Sequence, residues 1–200
     1  MHISEGVLSG QVLSAGAAMA VAGTAMGLKK IDYDQIVHVA ILASAFFVAS
    51  LIHINIGPAG VHLILNGILG LLLGFAAIPA ILTALLLQSI FFQYGGLTAL
   101  GVNVVIMAAP AVLVHYLFLP FLGRSSKLTF WAGFFAGLFS ILFSCLLLGF
   151  ALWFTDKHFF ETSLAIIITY IPIMIIEGII TGFCVSFLLK VYPEIIPKKP

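Results

Sequence analysis

The chain has 200 residues, of which 62% are hydrophobic and 8% are charged, with a formal net charge of +1 and a mean hydropathy of +1.26. A soluble domain of this size keeps about a quarter of its residues charged, so the composition excludes a soluble globule. The near-zero net charge and the lack of a basic stripe in the sequence also exclude a nucleic-acid-binding protein.

Long apolar runs predict membrane-spanning helices. Each run approaches the ~20 residues that a helix needs to cross a ~30 Å hydrocarbon core. A helix satisfies its own backbone hydrogen bonds without water, whereas a membrane barrel would require short segments of alternating polarity that this sequence lacks. We therefore predict an all-α integral membrane protein with about seven transmembrane helices, located in the cytoplasmic membrane.

Charged residues, glycines and prolines divide the runs and predict where the helices end. In chain order, the predicted helices cover about residues 9–28, 35–54, 59–73, 79–94, 98–122, 128–154 and 164–191. The sequence Asn55-Ile56-Gly57-Pro58 separates the second helix from the third. The chain then forms one membrane domain (1–200), with an N-terminal segment (1–8), a helical bundle (9–191) and a tail (192–200).

The basic residues predict the orientation of this bundle. With an odd number of spans, seven of the eight lie on one side, which the positive-inside rule assigns to the cytoplasm: Lys29, Lys30, Arg124, Lys127, Lys190, Lys198 and Lys199. The N-terminus then lies outside and the C-terminus inside. Met1-His2, the loop before His62 and Gly95-Gly96 meet at the outer face. Because the N-terminus lacks the basic region of a signal peptide, we expect it to be retained.

Met1 and His2 together form a potential chelate. The Met1 amine and the His2 amide nitrogen close a five-membered ring on a metal, and that amide with the His2 Nδ1 closes a six-membered ring. The three nitrogens lie near one plane and leave one equatorial position open. Such donors favour square-planar Ni(II) or Cu(II). Since His occupies position two by chance in some proteins, this pattern alone is a weak signal.

His62 is the predicted fourth donor. It follows Gly57-Pro58-Ala59-Gly60 near the outer end of the predicted third helix, where a histidine at membrane depth indicates function or a hydrogen bond to a neighbouring helix. Asn66, one helical turn further on, is expected on the same face and could orient a ligand.

Other polar residues are expected near the same end. Gln88, Gln93 and Asn103 flank the glycine turn and either support the metal site or hydrogen-bond between helices. His53, near the outer end of the second predicted helix, is a further candidate. Glu177 is the carboxylate deep in an apolar helix; a structural hydrogen-bonding role is favoured over an ion or proton pathway.

In combination, the motifs resemble the CbiM/NikM family over essentially the whole chain. They are Met1-His2-Ile3 with Glu5-Gly6, the sequences VHLILNGILG (61–70) and GGLTALGVN (95–103) with Met107, and IEGIITGF (176–183) leading to Val191-Tyr192-Pro193. No single motif is specific, but their order is.

The resemblance implies a seven-helix substrate-specific component of an energy-coupling-factor transporter that binds Co(II) or Ni(II). It implies ligation by the Met1 amine, the His2 amide and imidazole, and the His62 imidazole. It also implies a transmembrane coupling subunit, cytoplasmic ATPases and often a small accessory membrane subunit. The sequence contains no G-x-x-x-x-G-K-[ST] motif, so ATP hydrolysis is expected from partners and the chain itself is not expected to be an enzyme.

The sequence gives less support to two other functions. An intramembrane metalloenzyme would need a hydrolytic signature such as HExxH, which the sequence lacks. A stand-alone metal carrier or channel often shows two similar halves or a site at mid-membrane, and neither is evident here. The carrier remains the alternative that a requirement for an ATPase would exclude.

Overall fold

The computed structural model describes residues 2–56 and 59–195, with the backbone alone for 53–56 and 59–61. Seven α-helices and one short antiparallel hairpin make up these residues. The helices are α1 (Gly10–Leu28), α2 (Ile36–Leu51), α3 (Asn66–Leu73), α4 (Ala77–Phe92), α5 (Leu100–Phe118), α6 (Ser126–Thr155) and α7 (Phe160–Val191). The hairpin pairs β1 (His53–Ile56) with β2 (Ala59–His62).

Six segments of the described chain are long and apolar enough to cross a membrane, so the protein is a multi-pass membrane protein. They are Gly10–Leu28, Tyr33–Leu51, Asn66–Phe92, Leu100–Phe121, Ser126–Thr155 and Lys157–Val191. The third contains both α3 and α4. Because α3 has only eight residues and is about 12 Å long, it cannot span the hydrocarbon core by itself.

Although they share one apolar segment, α3 and α4 run in opposite directions. The Asn66 side chain, at the start of α3, donates to the Met107 carbonyl 3.2 Å away in α5. One turn further on, a Cβ added to Gly70 would lie 2.1 Å from the Ala111 oxygen. The contacts advance together along both helices, so α3 runs parallel to α5.

In contrast, α4 returns toward the N-terminal segment. Near its start, the Pro79 ring packs against Gly27 at the end of α1. Near its finish, Gln88 is hydrogen-bonded to His2. The bundle therefore has two ends, which we call the His2 end and the Lys29 end after residues that lie there. The chain turns between α3 and α4 toward the Lys29 end, through Gly74 at φ +54°.

The structure corrects the second and third predicted helices. The second ends at Leu51 and not at 54, because the chain becomes extended and forms β1. The third does not begin at 59: this stretch is β2, and α3 begins at Asn66. His62 therefore lies on a strand, and the predicted helical spacing between His62 and Asn66 does not exist. VHLIL is a short apolar run, and the hydrophobicity of such a run does not distinguish a helix from a strand or an irregular segment.

Large apolar side chains cover much of the outside of the bundle, while polar ones lie within it. Trp131, Phe154, Phe183 and Phe187 are exposed. Side chains buried inside include those of His62, Asn66, Gln88, Asn103, His115, Ser140, Ser144, Glu177 and Thr181. This distribution suits a bundle surrounded by lipid, where buried polar groups must find partners within the protein.

Close contacts between helices depend on glycine, and a substitution at Gly70 tests the packing of α3 against α5. Gly70→Ala places a methyl group against the Ala111 backbone, and overpacking of this kind typically costs about 1–3 kcal/mol. We expect Gly70→Ala to lower the thermal unfolding midpoint in detergent. Gly149→Ala, inside α6, is the matched control because its nearest contact would be an ordinary 3.4 Å to Ser163 Cβ. Equal midpoints for the two variants would contradict the packing described.

Candidate metal site

The N-terminal segment enters the His2 end of the bundle and is fixed there by one side chain. Asn103 of α5 accepts from the Ile3 amide through Oδ1 at 2.9 Å and donates to the Ile3 carbonyl through Nδ2 at 3.1 Å. Asn103 and Ile3 are both buried. The side-chain amide thus provides both backbone hydrogen bonds that a neighbouring strand would provide.

The Gly95-Gly96 turn makes room for this segment. Both residues have φ of +75°, where side chains are strained. A Cβ on Gly95 would lie 2.6 Å from Asn103 Nδ2, and one on Gly96 would lie 2.0 Å from Glu5 Cγ. Beyond permitting a tight turn, the two glycines allow close approach of the N-terminal residues.

Glu5 provides a second anchor at the surface. Its carboxylate accepts from the Thr98 amide at 3.0 Å, and this hydrogen bond lowers the pKa of Glu5. A lowered pKa means that the carboxylate's contribution to docking is present above its ordinary pKa and is lost as pH falls through the lowered value. Because Glu5 is exposed, that contribution is screened by solvent.

Gln88 of α4 orients the His2 ring. Gln88 Nε2 donates to Ser50 Oγ at 2.5 Å, and Ser50 in turn donates to the Phe47 carbonyl. This arrangement directs Gln88 Oε1 toward His2 Nε2, 2.9 Å away. The His2 Nε2 therefore carries the proton, and Nδ1 carries the lone pair. A chelate that includes the His2 amide nitrogen would bind metal through Nδ1, so this tautomer is the one that such a chelate needs.

The His62 ring lies beside that of His2, at the end of β2. Its Nδ1 donates to the Leu63 carbonyl at 2.9 Å, so Nε2 carries the lone pair in the neutral ring. The two ring centroids are 4.9 Å apart, with an angle of 30° between the planes. His62 is only 3% exposed, so its imidazole lies inside the bundle and not at its surface.

The segment that follows His62 is held by a carboxylate from α7. Glu177 accepts hydrogen bonds from the Ile64 and Leu65 amides, the latter at 2.9 Å through Oε1 and 3.1 Å through Oε2. Leu65 adopts a left-handed conformation with φ +57°, immediately before α3. Glu177 is fully buried and holds the backbone just before α3, which favours the structural role expected for it over an exposed ionic one.

For four of the site residues predicted from the sequence, the structure shows no side-chain contact with His2 or His62, in two cases because it does not describe their side chains. Asn66 is buried but donates to Met107 and Ser144, away from His62. Gln93 is exposed at the end of α4, with φ +57°, and serves the turn. His53 pairs with His62 through the hairpin backbone, and its side chain is not described. Met1 lies outside the described residues.

Sequence reasoning missed two neighbours of this site. Ser50, which fixes Gln88, looks like one more small residue in an apolar helix. Tyr94 lies beside His2, with ring centroids 6.1 Å apart. An aromatic residue next to the Gly95-Gly96 turn was the available signal for Tyr94.

Within residues 2–56 and 59–195, no three His, Cys, Asp or Glu side chains cluster as a metal-binding group. The His2 and His62 imidazoles are the donors that these residues bring together at the His2 end.

Asn103 offers a test of the docked segment. Asn103→Leu preserves the approximate shape but removes two hydrogen bonds, each worth about 1 kcal/mol. We expect amide hydrogen exchange in the first eight residues to accelerate by roughly tenfold or more. The control is Gln93→Leu, which changes an exposed amide at the same end of the bundle and leaves this exchange unaltered. Unchanged protection in Asn103→Leu would show that the segment is held by other contacts.

Comparison with known proteins relates this geometry to a family. The family model described as CbiM, cobalt uptake substrate-specific transmembrane region, matches residues 2–195. A Haemophilus influenzae protein named "Putative metal transport protein" is 43% identical over 98% of this chain and 96% of its own length. The Sorangium cellulosum "Cobalt transport protein CbiM" is 29% identical over 99% of this chain and 95% of its own.

Further matches agree with this assignment. The Rhodobacter capsulatus "Fused nickel transport protein NikMN" is 38% identical over 57% of this chain and 35% of its own length. A crystal structure titled as a truncated transition metal transporter shares the fold, with a TM-score of 0.78 and 23% identity over 96% of this chain and 99% of that one. The chain is thus a membrane protein of the CbiM family of metal-transport proteins.

Proposed function

We propose that this chain captures Co(II) or Ni(II) at the outer face of the cytoplasmic membrane and passes it to an ATP-driven importer of the energy-coupling-factor type. The observation that carries the proposal is the pairing of His2 and His62, which come from opposite ends of a 60-residue stretch yet stack inside the bundle. A histidine pair at membrane depth is costly unless it serves a purpose.

The proposed donors are the Met1 amine, the His2 amide nitrogen and Nδ1, and the His62 Nε2. The hydrogen bonds of His2 to Gln88 and of His62 to Leu63 favour the tautomers that this set requires. Two imidazoles bound side by side in a square plane at about 2 Å from the metal have centroids roughly 4.5 Å apart. The 4.9 Å separation in the structure is close to that value, so the two rings lie near enough for one ion to reach both.

The orientation follows from the two ends of the bundle. We infer seven passes, of which the third comprises residues 63–65 and α3, because α3 and α4 run in opposite directions. Seven passes place the N- and C-termini on opposite sides. Since Lys29, Lys30, Arg124 and Lys127 gather at the other end, the positive-inside rule assigns the His2 end to the outside.

The names of the relatives favour cobalt and nickel as substrates. One relative is named as a cobalt transport protein and another as a fused nickel transport protein. Nitrogen donors in a plane suit both ions, and the Irving–Williams order makes Ni(II) the tighter binder of the two. The metal is cargo, and the residues bind and release it without chemical change.

Metal titration of the purified protein tests the site. A version with one residue added before Met1 keeps every side chain but moves the free amine out of the chelate. We expect the native chain to bind one Ni(II) or Co(II), the extended chain and His2→Ala to lose high-affinity binding, and His62→Ala to bind far more weakly. Binding should also weaken in acid, because the amine and the His2 amide must each lose a proton to bind metal and both imidazoles must be neutral.

The same residue added at the C-terminus is the matched control and should bind as the native chain does. If the N-terminally extended chain also binds normally, the donor set is wrong. If neither binds, the metal site lies elsewhere or is absent.

A transport assay separates the proposal from a stand-alone carrier or channel. The proposed partners are a transmembrane coupling subunit, cytoplasmic ATPases and a small accessory membrane subunit. We expect cells expressing this chain with those partners to accumulate radioactive Ni(II) or Co(II), and a Walker-lysine substitution in the ATPase to abolish uptake. Sustained uptake with the inactive ATPase would favour the carrier.

A further inference from the structure

A second observation concerns Glu177, which lies 115 positions after His62 in the chain yet holds the backbone beside it. We propose that Glu177 is the positioning residue for the His62 ligand: its carboxylate fixes the segment 63–65 and so sets where the His62 imidazole lies. This inference rests on the proposed metal site and names a residue of α7 on which that site depends.

The extended segment needs such a partner. Between β2 and α3 the amides of Ile64 and Leu65 belong to no helix or strand, and both point at Glu177. An unsatisfied backbone amide within the membrane would cost several kcal/mol, and the carboxylate satisfies two such groups. Its carboxyl oxygens also lie at the N-terminal end of α3, beside Leu65.

His62 is coupled directly to that segment. Its Nδ1 donates to the carbonyl of Leu63, the residue before the first amide that Glu177 accepts. Movement of the 63–65 backbone would therefore rotate or withdraw the imidazole. Leu65 is held at φ +57°, a conformation that a leucine adopts only where its surroundings fix it.

Glu177 is itself held rigidly on α7. A Cβ on Gly137 of α6 would lie 2.6 Å from the Glu177 carbonyl oxygen and 2.7 Å from Thr181 Oγ1. A Cβ on Gly178 would lie 2.8 Å from the Phe134 oxygen. The tight α6–α7 contact thus fixes the carboxylate, and the position of His62 depends on two helices that carry none of the proposed metal ligands.

The test uses the full-length protein and Ni(II), with Glu177→Leu as the main variant. Leucine approximates the shape but accepts no hydrogen bond, so the 63–65 segment is released. We expect Ni(II) affinity to fall about 10–100-fold, the range found when groups that orient metal ligands are removed. We also expect the visible absorption band of the Ni(II) complex to shift to longer wavelength, toward the His62→Ala band, because water replaces an imidazole nitrogen.

Two further variants make the result specific. Glu177→Gln retains an acceptor oxygen and should recover most of the affinity and the native band. Glu161→Gln removes an exposed carboxylate from the first turn of α7 and should change neither. Reduced affinity with an unchanged band in Glu177→Leu would overturn the positioning role, because the ligand set would then be intact.

The remaining outcomes are also decisive. If the native chain shows no His2-dependent Ni(II) band, the proposed function itself fails. If the native chain shows this band and Glu177→Leu has the same Ni(II) affinity and the same band, only the proposed role of Glu177 fails. Should Glu177→Leu not fold, Glu177→Gln is compared by hydrogen exchange. Glu177 accepts through both carboxyl oxygens, whereas glutamine has one acceptor oxygen, so exchange across residues 62–66 must rise. Unchanged exchange there would overturn the proposal.

Discussion

Backbone that is neither helix nor strand must find hydrogen-bond partners inside the protein when the surroundings are lipid, and this constraint shapes the whole His2 end. Two such segments enter the bundle: the N-terminal residues and the stretch after β2. Asn103 satisfies Ile3, and Glu177 satisfies Ile64 and Leu65. Each buried polar side chain thereby fixes a peptide next to one of the two stacked histidines.

The same constraint explains why the site depends on much of the fold. His2 and His62 belong to short extended segments that could not hold a geometry alone, while their supports lie on α4, α5 and α7. Glycines bring those helices close enough for short polar side chains to reach. A change at Gly70 or Gly137 therefore acts on the bundle first and on the histidines through it.

Helix-rich architecture was predictable because apolar runs and charged breaks are strong signals, and five of the seven predicted helices match closely in extent. Residues 52–65 were not predictable in the same way. VHLIL is short and apolar, so its local composition fits a buried helix as well as an extended segment. In the structure the Ile64 and Leu65 amides are not bonded within a helix. Glu177, 112 positions from Leu65, accepts their hydrogen bonds.

The candidate site was likewise predictable only in part. Met1-His2 follows from chelate geometry, and His62, Gln88 and Asn103 were expected near it. The sequence does not predict which polar residue contacts which segment, as Asn66 and Gln93 show. Asn66 remains buried with Oδ1 lacking a described partner, yet its amide nitrogen joins α5 to α6 and not to the hairpin.

Delivery of the metal requires the site to open, and the arrangement of supports indicates how this would happen. In the proposed donor set three nitrogens come from residues 1 and 2, and only one comes from His62. Loss of His62 leaves a three-point chelate, whereas movement of the N-terminal segment removes three donors together. Since Asn103 on α5 holds that segment and Glu177 on α7 holds the His62 loop, a shift between α5 and α7 would separate the two halves of the site. In the proposed importer, a coupling subunit that moves these helices relative to each other would release the metal without contacting it.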